Sequence, residues 1–182
     1  GYFSSGFGPG SGIQISCGRR AGRLILPSRQ YNGSASKGFA IYSDDHGATW
    51  KVSSEVLAGE SQIAECGEDR LTVNIRRSAD RYSSISKDGG QTWTAAAKDG
   101  GLTSFESGCH ASVCSGGGNM VYYCGPKGGA KSSTHDNRYE LMLFRSPTST
   151  QGWTRSQLLY DLAAGYPDMT LLGDGRLAIV FE

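Results

Sequence analysis

The sequence predicts an all-β chain laid out as blades of a β-propeller, and two observations predict it. An octet of the form S-x-D-x-G-x-T-W occurs twice, at 43–50 and 86–93, so its two copies start 43 residues apart. A repeat period of roughly 40–50 residues is that of a propeller blade. Beyond the octets, the chain offers ten short segments that alternate or are rich in Ile, Val, Leu and Tyr, bounded by turn residues. No segment of 11 or more residues carries a convincing helical period, which leaves antiparallel hairpins as the organising unit.

The fixed positions of the octet are Ser43, Asp45, Gly47, Thr49 and Trp50 in the first copy, and Ser86, Asp88, Gly90, Thr92 and Trp93 in the second. Apolar residues run into each copy. The Asp side chain is suited to accept from nearby backbone N–H groups, and the Gly tolerates positive φ. The Thr-Trp pair is expected to resume as strand, with the indole packed on the turn. Each copy therefore reads as the hairpin turn between two neighbouring strands of a blade, and Trp50 and Trp93 as blade packing and not as ligand stacking. An eroded third copy lies at 146–153, keeping Ser146 and Trp153 but with Thr148 in place of Asp.

In chain order, residues 1–12 are rich in Gly and Ser and read as a loop. Strands are expected at 13–16, 23–27, 39–43, 61–66, 70–76, 82–86, 119–124, 140–145, 169–172 and 176–181. The connections Gly67-Glu68-Asp69, Asp88-Gly89-Gly90 and Gly173-Asp174-Gly175 are hairpin turns. Residues 154–164 come nearest to a helical pattern but are too short for one. At the blade length above, 182 residues make about four blades. No sharp linker divides them, so 1–182 is read as one domain.

Composition narrows the function. With 18 Lys and Arg against 17 Asp and Glu, the chain lacks the basic footprint of a nucleic-acid partner, and no apolar run reaches the ~18 residues of a membrane span. Its 27 glycines are spread through the turns and do not form a low-complexity tract. The five cysteines, Cys17, Cys66, Cys109, Cys114 and Cys124, form no C-x-x-C, so a zinc site is not expected and no disulfide pairing is assigned. His110 and His135 are candidates to line a pocket, but neither has a metal-ligand partner at useful spacing; His46 sits at a free, solvent-facing octet position. No cofactor is indicated. Asn32-Gly33-Ser34 is a glycosylation sequon. The chain opens on Gly1 with neither Met nor a signal peptide and reads as cut from something longer.

Five further stretches occur in a fixed order around the octets. They are Gly8-Pro9-Gly10-Ser11-Gly12-Ile13-Gln14, Glu60-Ser61-Gln62-Ile63-Ala64-Glu65, Asn74-Ile75-Arg76, Cys109-His110-Ala111-Ser112-Val113, and Gly165-Tyr166 with Asp174-Gly175-Arg176 and Phe181-Glu182. Taken together they resemble the exo-α-sialidases (neuraminidases) whose catalytic domain is a six-bladed propeller with Asp boxes. The resemblance covers nearly the whole chain.

The resemblance implies a site. Tyr166 matches the nucleophile and Glu60 the carboxylate that takes its proton, with Glu65 the alternative one strand on. Arg76, with Arg77 its neighbouring rival, and Arg138 match the second and third of three arginines that clamp the carboxylate of sialic acid. Glu182 matches the glutamate that holds the first arginine in place. The first arginine sits in an Arg-Ile-Pro motif that is absent here, and the aspartate expected as general acid has no counterpart, since residues 1–42 contain no Asp or Glu. The chain is therefore expected to supply the later blades of such a domain, lacking the N-terminal ones. Pro167 stands where the family often has Ser and is expected to hold Tyr166 extended.

The function implied is retaining hydrolysis of terminal sialic acid from glycans or glycolipids through a sialyl-tyrosine. Transfer to a second sugar, or sialoside binding without turnover, are the alternatives. The partner is a sialylated glycoconjugate, and the location secreted, cell-surface or lysosomal.

Overall fold

The computed structural model describes residues 4–78, 80–102, 108–127, 138–147 and 152–182. Fifteen strands in these residues form four antiparallel sheets. The first contains β1 (Ser4–Phe7), β2 (Ile13–Gln14), β3 (Leu24–Tyr31), β4 (Ser36–Ser43) and β5 (Lys51–Val52). The second is the meander β6 (Ser61–Glu65), β7 (Leu71–Arg77), β8 (Asp80–Ser86) and β9 (Ala97–Lys98). The third repeats that order with β10 (Ser112–Ser115), β11 (Val121–Pro126), β12 (Tyr139–Ser146) and β13 (Thr154–Ala163). The fourth is the hairpin β14 (Asp168–Leu171) and β15 (Leu177–Val180).

Apolar residues bury themselves between successive sheets, which is how propeller blades stack. Ile25, Ala40 and Tyr42 of the first sheet pack on Ile63, Leu71, Val73 and Ile75 of the second. Ala64 and Cys66 meet Val113, Val121, Tyr123, Met142 and Phe144 of the third, and Cys124 and Leu141 meet Met169 of the fourth. The five cysteines are free thiols.

Each octet lies between the third and fourth strands of its sheet: 43–50 joins β4 to β5, and 86–93 joins β8 to β9. The two copies share one hydrogen-bond pattern. Gly47 N donates to Ser43 Oγ, and Gly90 N to Ser86 Oγ, both at 2.8 Å. Thr49 donates from N and Oγ1 to Asp45 at 2.8 and 2.6 Å; Thr92 does the same to Asp88 at 2.9 and 2.6 Å. Thr49's side-chain and backbone donors lead in holding the Asp45 carboxyl down to about 2. Burial opposes the charge of Asp88, but the same set of donors still lowers its pKa. Gly47 and Gly90 take φ of 91° and 88°. Trp50 donates its Nε1 to Gly47 O at 3.0 Å, and Trp93 packs against the core. Strand pairing resumes later than the Thr-Trp pair, at Lys51 and Ala97, because these residues still close the turn. The eroded copy joins β12 to β13 in the same place. Its Ser146 is as buried as Ser43 and Ser86; Thr148 lies outside the described residues.

A buried arginine ties the octets together. Arg23 gives Nε and Nη2 to Asp44 at 2.7 and 3.0 Å, and Nη1 to Gly89 O at 2.8 Å. Between the second and third sheets, the buried Asp99 accepts from Ser83 Oγ at 2.9 Å and Trp153 Nε1 at 2.7 Å.

One expectation needs correction, and one unassigned segment gains a structure. Residues 4–7 are strand, not loop: backbone pairing with β3 carries them where side chains gave no signal. Residues 154–163 are a ten-residue strand. Three register shifts against β12 disturb its alternation, and most of its residues are exposed. The short β5 and β9, and β10, also escaped the sequence pattern.

Candidate active site

Tyr166 lies in the segment between β13 and β14, half-buried, and its backbone is not extended. It takes φ of 44°, the left-handed region, immediately before the buried Pro167. A proline disfavours helical conformations in the residue before it but does not forbid them. Here neighbouring backbone decides. Gly165 N donates to Glu182 O at 2.7 Å and Glu182 N returns to Gly165 O at 3.1 Å. Tyr166 N points to Cys109 Sγ at 3.5 Å. A Cβ on Gly165 would come within 3.1 Å of Arg138 Cδ and 3.4 Å of Cys109 Sγ, so glycine permits the close approach.

Glu60 enters from the residue before β6, and Arg76 from β7; Arg76 N donates to Glu60 O at 2.8 Å. Their side chains meet over the same spot. Arg76 Nη1 donates to Glu60 Oε2 at 2.6 Å and to Tyr166 Oη at 3.0 Å. Tyr166 Oη lies 3.4 Å from Glu60 Oε1. Burial opposes the charge on Arg76, but the hydrogen bonds it donates to Glu60 and Tyr166 outweigh it and raise its pKa. Arg138, beside the first residue of β12, places its guanidinium carbon 5.0 Å over the Tyr166 ring. Glu182 approaches Arg138 at 4.0 Å. The sequence-predicted Tyr166, Glu60, Arg76, Arg138 and Glu182 thus converge from separate sheets.

The rivals make no bond to Tyr166 among the described residues. Arg77 donates to Ala58 O at 3.3 Å. Glu65 is occupied across the sheet interface, accepting from Ser16 N at 2.9 Å and Cys17 N at 3.1 Å. The octet residues take no part in the cluster. His46 is exposed as expected, and His135 lies outside the described residues.

Two residues escaped the sequence reading, and a third had no role assigned. Arg81 is fully buried and donates Nε to Asn74 Oδ1 at 2.9 Å and Nη1 to Cys109 O at 2.8 Å, linking β7 to the support of Tyr166. Burial lowers its pKa. Asp168 Oδ1 gathers Gln62 Nε2 at 3.1 Å, Ser11 Oγ at 3.3 Å and Ser112 Oγ at 3.5 Å from three sheets or their approaches. His110, given only as a pocket candidate, lies buried with its ring 6.1 Å from that of Tyr166. Burial, then the charge of Arg81, pushes its pKa down to about 4. Nothing local in the sequence distinguishes Arg81 or Asp168 from solvated strand-end residues.

The chemistry on offer is a phenol with a guanidinium donor and a carboxylate on its oxygen, beside a second guanidinium. Among the described residues no cluster of three metal-ligating side chains occurs, and no helix is long and apolar enough to cross a membrane.

The model of the BNR repeat-like domain matches residues 2–179. The chain is 28% identical over 187 residues to a sialidase of Micromonospora viridifaciens, an alignment covering 95% of this chain and 28% of that protein. It is 38% identical over 112 residues to an anhydrosialidase of Macrobdella decora, covering 58% of this chain and 14% of that one. The chain thus spans less than a third of either relative. Among solved structures, the NanB sialidase of Streptococcus pneumoniae superposes with a TM-score of 0.77 at 20% identity, over 98% of this chain and 28% of its own. A leech intramolecular trans-sialidase complexed with 2,7-anhydro-Neu5Ac gives 0.74 at 24% identity, over 98% and 28%. These likenesses establish a β-propeller of the sialidase type.

Proposed function

The chain belongs to the BNR repeat-like domain family, and from that premise and its similarity to sialidases we propose that the protein is an exo-α-sialidase that removes terminal sialic acid from glycans or glycolipids with retention. One observation carries the reading: the Tyr166 phenol oxygen lies 3.0 Å from Arg76 and 3.4 Å from Glu60. Sialic acid bears a carboxylate on its anomeric carbon. A carboxylate nucleophile would be repelled there, and a tyrosine nucleophile is the known exception to the two-carboxylate scheme.

In this reading Glu60 takes the phenol proton and the phenolate oxygen bonds to the anomeric carbon. The bond to the aglycone breaks, and its electron pair leaves on the aglycone oxygen. That oxygen takes a proton from an acid, a role the resemblance gives to an aspartate upstream of the first octet. Water, giving a proton to that now deprotonated acid, then displaces Tyr166, with Glu60 reprotonating the phenol. Arg76 supplies a donor where charge develops on the phenol oxygen, and, with Arg138, a charge-assisted contact for the substrate's carboxylate. The corresponding location is secreted, cell-surface or lysosomal.

Hydrolysis of a fluorogenic α-sialoside by the full-length protein tests this. Tyr166→Phe is expected to lower kcat by at least about a hundredfold, and a fluorinated sialosyl fluoride to label Tyr166 in the unaltered protein. Binding of the sialoside with no turnover and no labelling would replace hydrolysis with a binding role. The identity to an anhydrosialidase favours one second reading, intramolecular transfer, and mass spectrometry of the released sugar separates anhydro product from free sialic acid.

A further inference from the structure

Beside Glu60 and Arg76 lies a cleft of about 470 Å³. Arg29 at the end of β3, Arg77 at the end of β7, and Ser36 and Ser78 line it together with Glu60 and Arg76. Its charge is lopsided. Among the described residues that line it, the only carboxylate, Glu60, is engaged by Arg76 Nη1 at 2.6 Å. Among the described residues Arg29 has no ion pair, and Arg77 donates only to the Ala58 carbonyl. Two exposed guanidinium groups and two hydroxyls therefore line the cleft, and among the described residues no anion is bonded to either guanidinium, a donor set that matches an oxyanion.

The backbone here is specialised. A Cβ on Gly59 would lie 2.4 Å from Arg76 O, so the cleft floor requires glycine. Ser78 is held at φ of 39°, a strained conformation of the kind that accompanies binding sites.

We propose that this cleft is a subsite for a second anionic group of the substrate, a carboxylate, sulfate or phosphate distinct from the anomeric carboxylate, held by Arg29 and Arg77. The inference rests on the sialidase reading, because it places the cleft next to a sugar seated over Tyr166. The second anion has two sources, the aglycone or the exocyclic tail of the sialic acid.

The test compares the full-length protein with its Arg29→Ala/Arg77→Ala variant on three substrates. These are a methylumbelliferyl α-sialoside with no second anion, a disialoside with its second carboxylate in the aglycone, and a sialoside sulfated on its tail. The variant is expected to keep kcat/KM for the first within about twofold and to lose about tenfold or more on one of the other two. Which one loses identifies the source. Equal ratios on all three overturn the proposal. A full-length protein that turns over none of the three defeats the sialidase reading instead. Calorimetric titration with inorganic sulfate still decides the cleft in that case: binding abolished in the variant upholds it, and binding absent or unchanged overturns it.

Discussion

Tyr166 shows how a residue is held ready against its own backbone preference. A non-glycine residue in the left-handed region costs on the order of 1–2 kcal/mol, and here that cost is met by the Gly165–Glu182 pairing and the packing of Pro167. The sequence made Tyr166, Glu60 and Arg76 visible as motif residues. Their mutual bonds were not visible, because a bond between Arg76 and Tyr166 spans 90 positions. His110 beside Tyr166 has a measurable consequence. Its folded pKa of about 4 lies below the unfolded value near 6.5. Above that range both states are neutral; as pH falls through it, the unfolded chain takes up a proton that the folded chain refuses. Stability therefore declines from about pH 6.5 to about 4, by an amount of order 3 kcal/mol. His110→Gln is expected to flatten the pH dependence of the urea midpoint across that window, and an unchanged slope would show that His110 is not its source.

At the scale of elements, the octets were the most legible feature, since their function is local. Every bond that defines them joins residues within four positions of each other. The outer strands were the least legible. β1 and β13 gain their partners from a neighbouring strand, and most residues of β13 are exposed, so alternation carries little information there. Two substitutions test the turn logic in opposite directions. Asp88→Ala strips acceptors from Ser86, Gln91 and Thr92 and is expected to cost about 1–3 kcal/mol, read as a lower denaturant midpoint. His46 stands at φ of 58° where the second octet has Gly89 at 68°. His46→Gly is expected to raise stability by up to about 1 kcal/mol. The reverse change at Gly89 is blocked, since a Cβ there would lie 2.7 Å from the Arg20 side chain.

For the whole molecule, the sequence indicated four repeats but not what joins them. Beside the apolar packing, the joints include polar, long-range bonds. Glu65 caps the backbone at Ser16 and Cys17, Ser115 Oγ reaches Glu65 O at 2.7 Å, and Arg23 links the first octet to the second. In sequence Arg23 is one basic residue among 18; burial and partners single it out. Arg23→Met leaves Asp44 without its bidentate partner and Gly89 O without a donor. Because Asp44 is partly exposed and keeps Lys51 at 3.8 Å, the change is expected to destabilise by about 1–3 kcal/mol, most of it from the unpaired Gly89 carbonyl, and hydrogen exchange should quicken in both octets together. Exchange confined to the first octet would show that the sheets are not coupled through it.

The buried contact between Trp153 and Asp99 also gives the protein an optical reporter. Indole emission responds to charge nearby, and of the three tryptophans Trp153 alone donates its Nε1 to a carboxylate. Burial raises the pKa of Asp99. The wavelength of Trp153 fluorescence should therefore shift as that single proton is lost, reporting from the interface between the second and third sheets without any added dye.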